Sequence, residues 1–204
     1  MDKKTQTVLT MDMEWVVVGE IWENVANQFW VEELKLTTKD IADYNELMQI
    51  RMKALKENDI KMSQIYQVIE NMNPFDWAVD FLDWARKKLQ VIVLTDSFWE
   101  FTSCLTKKLN YPTIFCHTLQ IQNDKIINYN IRTTDHKTKM VKALKEMNFF
   151  VLATWDSFND VWMLKNADKW IFFSPSPKTY QQFPELGAVY DYDQLKNWIS
   201  ENYI

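Results

Sequence analysis

Residues 7–15, which read TVLTMDMEW, constrain the fold more strongly than any other part of the chain. A short, largely apolar run ends at Asp12, and a second acid, Glu14, follows two residues later. Such a run, bounded by polar residues, predicts a buried strand. Open α/β sheets bind their ligands at the carboxyl ends of their strands. Asp12 is therefore either an ordinary turn acid or part of a site, depending on whether the rest of the chain supplies partners.

Further buried strands are predicted along the second half of the chain. The apolar runs at residues 91–94, 149–153 and 170–173 are typical of parallel strands, and residues 188–190 form a shorter one. Because helical segments alternate with these strands, we predict an α/β fold: a doubly wound parallel sheet with helices on both faces. Two alternating segments on either side of residues 122–125 predict a β-hairpin within this core.

The block that follows the first strand is helical in its periodicity and carries no strand signal. Ser63 is predicted to be the N-cap of one of its helices, because apolar residues follow it at helical spacing. A chain of 204 residues is long enough for one domain with an insertion. We therefore predict a core formed by residues 1–20 and 83–204 and an inserted helical cap at residues 21–82.

Charge and composition exclude several classes of partner. The formal net charge of -5 argues against a nucleic-acid-binding protein, which usually carries a basic face. No apolar run approaches the roughly 18 residues of a membrane span, and the N-terminus lacks the apolar core of a signal peptide. Cys104 and Cys116 form neither a disulfide framework nor a metal-binding spacing. We predict a cytoplasmic protein that binds neither nucleic acid nor membrane.

Four polar sets fall at or beside the ends of the predicted strands. They are Asp12 with Glu14, Thr95, Lys137, and Asp156 with Asn159 and Asp160. Oxygen-rich sites of this kind hold Mg²⁺. One carboxylate can attack phosphorus, and a second acid can protonate the leaving oxygen and then activate water. A hydroxyl and an ammonium group stabilise the charge of the transferring phosphoryl group. The four sets together therefore predict phosphate-ester chemistry with a hard divalent cation.

The order of these sets resembles the haloacid dehalogenase superfamily of phosphotransferases. The pattern of that superfamily is D-x-D/E, then Ser or Thr, then Lys, and then an acidic G-D-x-x-x-D. The chain is most similar to the ThrH branch, whose members are bifunctional phosphoserine phosphatases and homoserine phosphotransferases. The resemblance covers nearly the whole chain, and the sequences that carry it are DME at 12–14, EIW at 20–22, TTKDIADY at 37–44, LTDSF at 94–98, FCH at 115–117, DSFND at 156–160 and FP at 183–184.

The resemblance implies a role for each matching residue. It implies that Asp12 is the nucleophile and that Glu14 is the general acid/base, where most relatives have Asp. Phosphate binding falls to Thr95 and Lys137. The implied cofactor is Mg²⁺, and its implied ligands are Asp12, Glu14 through its backbone carbonyl, and Asp156, with Asn159 and Asp160 in support. The implied substrate-binding residues are Glu20 for the amino group and Arg51 for the carboxylate.

Several of these residues have simpler interpretations when each is taken alone. Lys137 could be a solvated lysine at a helix start, since most lysines are exposed. Arg51 could be a surface salt-bridge partner. His117 and His136 have no metal-binding partner spacing, so we interpret both as structural.

The function that the resemblance implies is a Mg²⁺-dependent phosphoserine phosphatase that works through an aspartyl-phosphate intermediate. Homoserine is implied as a second phosphoryl acceptor, and a homodimer is compatible with the branch. Two alternatives stay open at this point. One is a phosphatase of another small phosphometabolite, and the other is a catalytically impaired relative that binds phosphometabolites or a partner protein.

The chain contains 10 Trp and only 2 Gly, whereas glycine normally makes up about 7% of residues. Five tryptophans stand where the branch has glycine or a small residue: Trp15, Trp30, Trp77, Trp155 and Trp170, with Trp162 as a sixth candidate. Overpacking costs roughly 1–3 kcal/mol per site. Some genetic codes read UGA as glycine. We therefore hypothesise that these five codons are UGA and encode glycine, whereas Trp22, Trp84 and Trp198 are UGG.

Overall fold

Seven strands form one sheet in a computed structural model of the chain, which describes residues 6–157 and 165–203. The strands are β1 (Thr7–Met11), β2 (Gln90–Phe98), β3 (Thr113–Gln122), β4 (Lys125–Asn130), β5 (Phe150–Trp155), β6 (Lys169–Phe173) and β7 (Ala188–Val189). Their order across the sheet is β4-β3-β2-β1-β5-β6-β7. All neighbouring strands are parallel except β3 and β4, which form an antiparallel hairpin. The predicted fold class is confirmed, including the hairpin.

The helices of the described residues follow the predicted alternation. They are α1 (Ile21–Phe29), α2 (Tyr44–Glu57), α3 (Met62–Asn71), α4 (Ala78–Arg86), α5 (Trp99–Thr106), α6 (His136–Glu146), α7 (Pro177–Gln182) and α8 (Tyr192–Asn202). Helix α4 packs against β2 and α8, so the predicted cap boundary at residue 82 falls within a helix that contacts the core. The division into core and cap stays a prediction. None of the helices in the described ranges combines the length and apolar character that a bilayer crossing requires.

The sheet is buried on both faces, which explains why its central strands are apolar runs rather than alternating ones. On β1, Leu9 and Met11 belong to one apolar cluster, which includes Phe81 of α4 and Leu195 of α8. Val8 points to the opposite face and joins a second cluster built on α6 and β5. Because all five residues of β1 are buried, the strand is held firmly and delivers the next residue, Asp12, to the carboxyl edge of the sheet.

Two local predictions differ from the structure. Strand β2 continues to Phe98, beyond the predicted end at Leu94, and its pairing with β3 shifts register between these two residues. The N-cap prediction for Ser63 is wrong, because α3 begins at Met62 after Lys61. The Ser63 amide and hydroxyl instead donate to the carboxylate of Asp124 at 2.8 and 2.6 Å. The tip of the β3–β4 hairpin therefore supplies the acid at this helix start.

Candidate active site

Asp12 lies directly after β1 and is the centre of the candidate site. Its backbone N–H donates to the carbonyl of Thr154 at 3.4 Å, which ties it to the neighbouring strand β5. Its Oδ1 accepts a hydrogen bond from the amide of Met13 at 2.7 Å. Its Oδ2 accepts from the Nζ of Lys137 at 2.8 Å, and both side chains are buried. The Asp12 carboxylate is thus held in one orientation by a backbone donor and by a cation.

Glu14 lies between the end of β1 and the start of α1. Its Oε1 accepts a hydrogen bond from the amide of Ile21, the first residue of α1, at 3.2 Å. Its Oε2 accepts from the hydroxyl of Thr95 at 3.5 Å, and that hydroxyl in turn accepts from the amide of Ser97 at 3.1 Å. Thr95 lies within β2 and is fully buried beside Glu14.

Burial and neighbouring charges raise the pKa of both acids. Burial raises the pKa of Asp12 to about 6, although Lys137 opposes the shift. Burial raises the pKa of Glu14 well above its usual value, and the charges of Glu20 and Asp12 add to the shift. The ammonium of Lys137 favours the ionised form of Asp12, whereas burial and the neighbouring acids favour the protonated form of Glu14. Asp12 lies beside a lysine and Glu14 lies beside other acids. These two environments suit a nucleophile and a proton donor, respectively.

Arg51 and Glu20 form the other end of the site. Arg51 of α2 is 4% exposed, and its guanidinium lies 4.7 Å from the ring centroid of Trp22. One nitrogen, Nη2, donates to the carbonyl of Leu36 at 2.6 Å, while the buried Nε has no hydrogen-bond partner. Burial raises the pKa of Glu20, against the influence of Arg51. A buried, unpaired charged donor is costly unless a ligand accepts from it, so Arg51 is suited to an anionic ligand group.

A single cavity collects most of the predicted site residues. Its lining includes Asp12, Glu14, Glu20, Arg51, Lys137 and Asp156. Asn159 and Asp160 lie outside the described residues. The cavity is also lined by residues for which no role was predicted: Thr37, Thr38, Lys39, Tyr44, Asp96 and Ser97. Residues 37–44 were part of the resemblance, but only the fold brings them over the strand ends.

The oxygen atoms of this cavity fit a hard divalent cation. Asp12 and Asp156 follow adjacent strands, and the charge of Asp156 contributes to the raised pKa of Asp12, so the two carboxylates repel each other at short range. A cation between them would relieve that repulsion. Carboxylate and carbonyl oxygens without nitrogen or sulfur ligands are the donor set that Mg²⁺ prefers.

Asp96, His117 and His136 form a second polar cluster at the edge of the cavity. Ligand atoms of the three side chains lie within 4.8 Å of one another. Asp96 Oδ2 is also 3.1 Å from the Nζ of Lys137. The two histidines were not predicted to belong to the site, because the three residues are far apart along the chain. Asp96 follows Thr95 and His136 precedes Lys137 in the sequence, and this adjacency could have suggested that both lie near the site.

Trp15, Trp30, Trp77, Trp155 and Trp170, which stand where the resemblance implies glycine or a small residue, are called the questioned tryptophans below. The backbone at three of these five is left-handed. The φ angles are 60° at Trp15, 58° at Trp30 and 67° at Trp77. Glycine adopts this region freely, whereas bulky residues rarely do. Among the described residues, eight other non-glycine positions share it, and six of those eight are Asn or Asp, which tolerate it best. These three tryptophans therefore occupy backbone positions that favour glycine.

The other questioned tryptophans have ordinary backbone angles or lie outside the described residues. Trp155 is completely buried at the end of β5, where its indole N–H has no partner. Its ring centroid is 5.9 Å from the Nζ of Lys137. Trp170 lies within β6, and Trp162 falls outside the described ranges. Trp155 is thus the second questioned residue, after Trp15, that borders the candidate site.

Two relatives found by comparison with known proteins are both named phosphoserine phosphatase. No family model matches the chain. Phosphoserine phosphatase ThrH of Pseudomonas aeruginosa is 38% identical over 190 residues, which cover 93% of this chain and 93% of that protein. A phosphoserine phosphatase of Pseudomonas syringae pv. tomato is 38% identical over 190 residues, covering 93% of this chain and 80% of that protein.

Solved structures show the same fold at lower identity. A substrate-bound phosphoserine phosphatase complex is 18% identical, with a TM-score of 0.79 over 99% of this chain and 100% of that one. A phospho-aspartyl intermediate analogue of phosphoserine phosphatase is 19% identical, with a TM-score of 0.77 over 99% of this chain and 100% of that one. The architecture around the cavity is therefore that of the phosphoserine phosphatase structures.

Proposed function

This chain belongs to the phosphoserine phosphatase family of the haloacid dehalogenase superfamily, as its sequence motifs predicted, and from that premise we propose that it is a cytoplasmic, Mg²⁺-dependent phosphoserine phosphatase. One observation carries the proposal. A single cavity holds an Asp–Lys pair, a second acid with a raised pKa two residues from that Asp, and a buried arginine with an unpaired donor.

The two ends of the cavity match the two ends of phosphoserine. The substrate's phosphate is placed against Lys137 and Thr95, close to Asp12. Its carboxylate accepts from Arg51, whose planar guanidinium suits such a group. Its ammonium group pairs with Glu20. Arg51 cannot turn freely, because Leu36 and Trp22 hold it, so it positions the substrate as well as binding it.

The reaction proceeds in two steps on these residues. In the first, an Asp12 oxygen attacks phosphorus, a P–O bond to Asp12 forms, and the bond from phosphorus to the serine oxygen breaks. Glu14 gives its proton to that leaving oxygen. In the second step the Glu14 carboxylate takes a proton from water, and the water oxygen bonds to phosphorus. The bond from phosphorus to Asp12 breaks, which releases inorganic phosphate and restores the Asp12 carboxylate. With homoserine in place of water, the same step yields homoserine phosphate.

The residues that would hold Mg²⁺ are Asp12, Asp156 and the backbone carbonyl of Glu14, with Asn159 and Asp160 in support. When bound, the cation would neutralise part of the negative charge on the phosphate and on the facing carboxylates. Lys137 also offsets negative charge at the nucleophile, because its Nζ lies 2.8 Å from Asp12 Oδ2.

The direct test is a phosphate-release assay with phosphoserine. We expect hydrolysis that requires Mg²⁺, is lost on chelation and returns when Mg²⁺ is added back, because two facing carboxylates repel a phosphate dianion without a cation. A second arm adds homoserine and measures homoserine phosphate. Hydrolysis of other small phosphate esters in preference to phosphoserine would favour the broader phosphatase. Absence of hydrolysis with every ester would contradict the proposal.

Arg51→Met should separate a phosphoserine enzyme from a general phosphatase. Methionine keeps an apolar stem against Trp22 but removes the charged donor. Hydrogen bonds to charged groups contribute about 1.5–3 kcal/mol, so kcat/KM for phosphoserine should fall about 10- to 100-fold. Hydrolysis of p-nitrophenyl phosphate, which has no carboxylate or ammonium group, should change by less than about twofold. Equal losses with both substrates would show that Arg51 does not recognise phosphoserine.

A binding protein without turnover is the second candidate, and one observation favours it. Trp15 lines the same cavity as Glu20, and its side chain lowers the pKa of the Glu20 carboxyl against the larger effect of burial. The indole therefore competes for the residue that would hold the substrate's ammonium group. This candidate predicts that phosphate esters bind but are not hydrolysed by the chain with tryptophan at position 15.

A further inference from the structure

The carboxylate of Asp96 joins the site lysine to two histidines. Its Oδ2 lies 3.1 Å from the Nζ of Lys137, and its Oδ1 accepts a hydrogen bond from His136 Nε2 at 3.1 Å. The same Oδ1 lies 3.7 Å from His117 Nε2. Lys137 Nζ is also 2.8 Å from Asp12 Oδ2. The ammonium of Lys137 is thus shared between the proposed nucleophile and a second acid.

The protonation of His117 argues against a metal ion at this cluster. The backbone N–H of Arg132 donates to His117 Nδ1 at 3.3 Å, so Nδ1 carries the lone pair. In the neutral imidazole the hydrogen is then on Nε2, the nitrogen that faces Asp96. A nitrogen that carries hydrogen cannot bind a metal, and Lys137 occupies the other oxygen of the same carboxylate. The cluster is therefore a carboxylate held by cationic and N–H groups.

Asp96 keeps its charge although it lies beside the phosphate position. Burial opposes its ionisation, but Lys137, the hydrogen bond from His136 and the nearby His117 Nε2 outweigh burial and hold the pKa of Asp96 well below its usual value. The backbone is fixed as well, because the Tyr44 hydroxyl donates to the Asp96 carbonyl at 2.7 Å. An anion so close to bound phosphate weakens phosphate binding. Asp96 is therefore expected to serve the reaction in another way than by binding phosphate.

We propose that Asp96 is a positioning residue that draws the Lys137 ammonium partly away from Asp12 and towards the substrate phosphate. This inference rests on the proposed phosphatase function. A lysine paired with Asp12 alone would neutralise the nucleophile more completely and would stand further from the phosphoryl oxygens. Sharing the lysine between two acids leaves Asp12 more nucleophilic and places the positive charge where negative charge develops. His136 and His117 hold the Asp96 carboxylate in the orientation that this sharing requires.

Asp96→Asn tests the proposal, because the side chain keeps its shape and loses its charge. We expect kcat for phosphoserine to fall at least about fivefold, whereas inorganic phosphate should inhibit equally well or better, since one repelling charge is gone. Asp96→Glu, which keeps the charge, should recover part of kcat. The control is Asp124→Asn, because Asp124 also accepts two hydrogen bonds but lies at the hairpin tip. Its kcat should stay at the level of the unmodified chain.

Two results would overturn the proposal. One is a kcat for Asp96→Asn within about twofold of the unmodified chain. The other is a parallel loss of kcat, phosphate inhibition and melting temperature, which indicates a merely structural role.

If the unmodified chain hydrolyses no ester, the proposed function fails. The effect of Asp96 on Lys137 is then tested by the chemical reactivity of the lysine. Acylation of Lys137 by acetic anhydride, followed by peptide mass spectrometry, should then be about threefold faster in Asp96→Asn. Equal acylation rates would overturn the proposal.

Discussion

Replacing Trp15 and Trp155 together by glycine is expected to raise kcat/KM for phosphoserine at least about tenfold. The Trp15 indole lines the cavity beside Glu20 and acts on the pKa of its carboxyl, and the Trp155 ring lies 5.9 Å from the Nζ of Lys137. Glycine at both positions would free Glu20 for the substrate and let Lys137 and Asp12 adjust to the phosphate. Steady-state kinetics of the double variant against the unmodified chain measure the effect. An unchanged or lower kcat/KM would reject this explanation.

Replacing Trp30 or Trp77, which lie away from the cavity, by glycine is expected to stabilise the fold. Trp30 and Trp77 are 89% and 73% exposed, so truncating them removes little packing, and both have left-handed backbones. Glycine should relieve that strain and stabilise the fold by about 0.5–1 kcal/mol per site, after allowance for its unfolded-state entropy. Trp99→Gly is the matched control, because Trp99 is half exposed but helical, and there glycine should destabilise by a similar amount. Equal destabilisation at all three positions would contradict the argument.

The codons decide whether glycine is what the cell inserts. We propose that the gene carries UGA at the five questioned positions and UGG at Trp22, Trp84 and Trp198. The left-handed backbone at three of those five positions supports this proposal. The second group differs in environment: Trp22, for example, is buried and stacks edge-on against Phe101. Finding UGG at the five questioned positions would exclude the recoding hypothesis.

Asp12→Asn is expected to lower kcat for phosphoserine at least about 10³-fold, which corresponds to about 4 kcal/mol of lost transition-state stabilisation. An amide oxygen is a poor nucleophile, and an Asn side chain at this position would still accept from the Met13 amide, so the local fold should persist. The control is Asp193→Asn, which removes an exposed acid from α8 and should leave kcat nearly unchanged. Retained turnover in Asp12→Asn would exclude Asp12 as the nucleophile.

The strands of the sheet were predictable because each one is marked by a short continuous stretch of the sequence. Each buried strand is a continuous apolar run, and parallel strands place the residues after them at one edge. Asp12, Glu14, Thr95 and Asp156 could be assigned to one site on that rule alone. Lys137 needed the resemblance, because a lysine at a helix start has no pattern that separates a buried one from a solvated one. The structure buries it against Asp12.

The contacts that the sequence did not reveal are those between segments far apart in the chain. Asp124 at the hairpin tip holds the start of α3, so the local N-cap rule chose Ser63 incorrectly. Asp96 meets His117 and His136 because β2 and β3 pair in parallel and α6 begins beside them. No spacing within one segment encodes such a cluster. Arg51 was assigned by resemblance, but its burial and its unpaired Nε emerge only from packing.

The most direct test of the proposed mechanism is capture of the covalent phosphoenzyme. The chain is mixed with phosphoserine and Mg²⁺, quenched in acid within the first turnovers, and digested for peptide mass spectrometry. The proposed mechanism predicts a phosphoryl group on the peptide that contains Asp12, bound to the Asp12 carboxylate, and none in Asp12→Asn. Efficient hydrolysis without any phosphorylated peptide, or with the phosphoryl group on another residue, would contradict it.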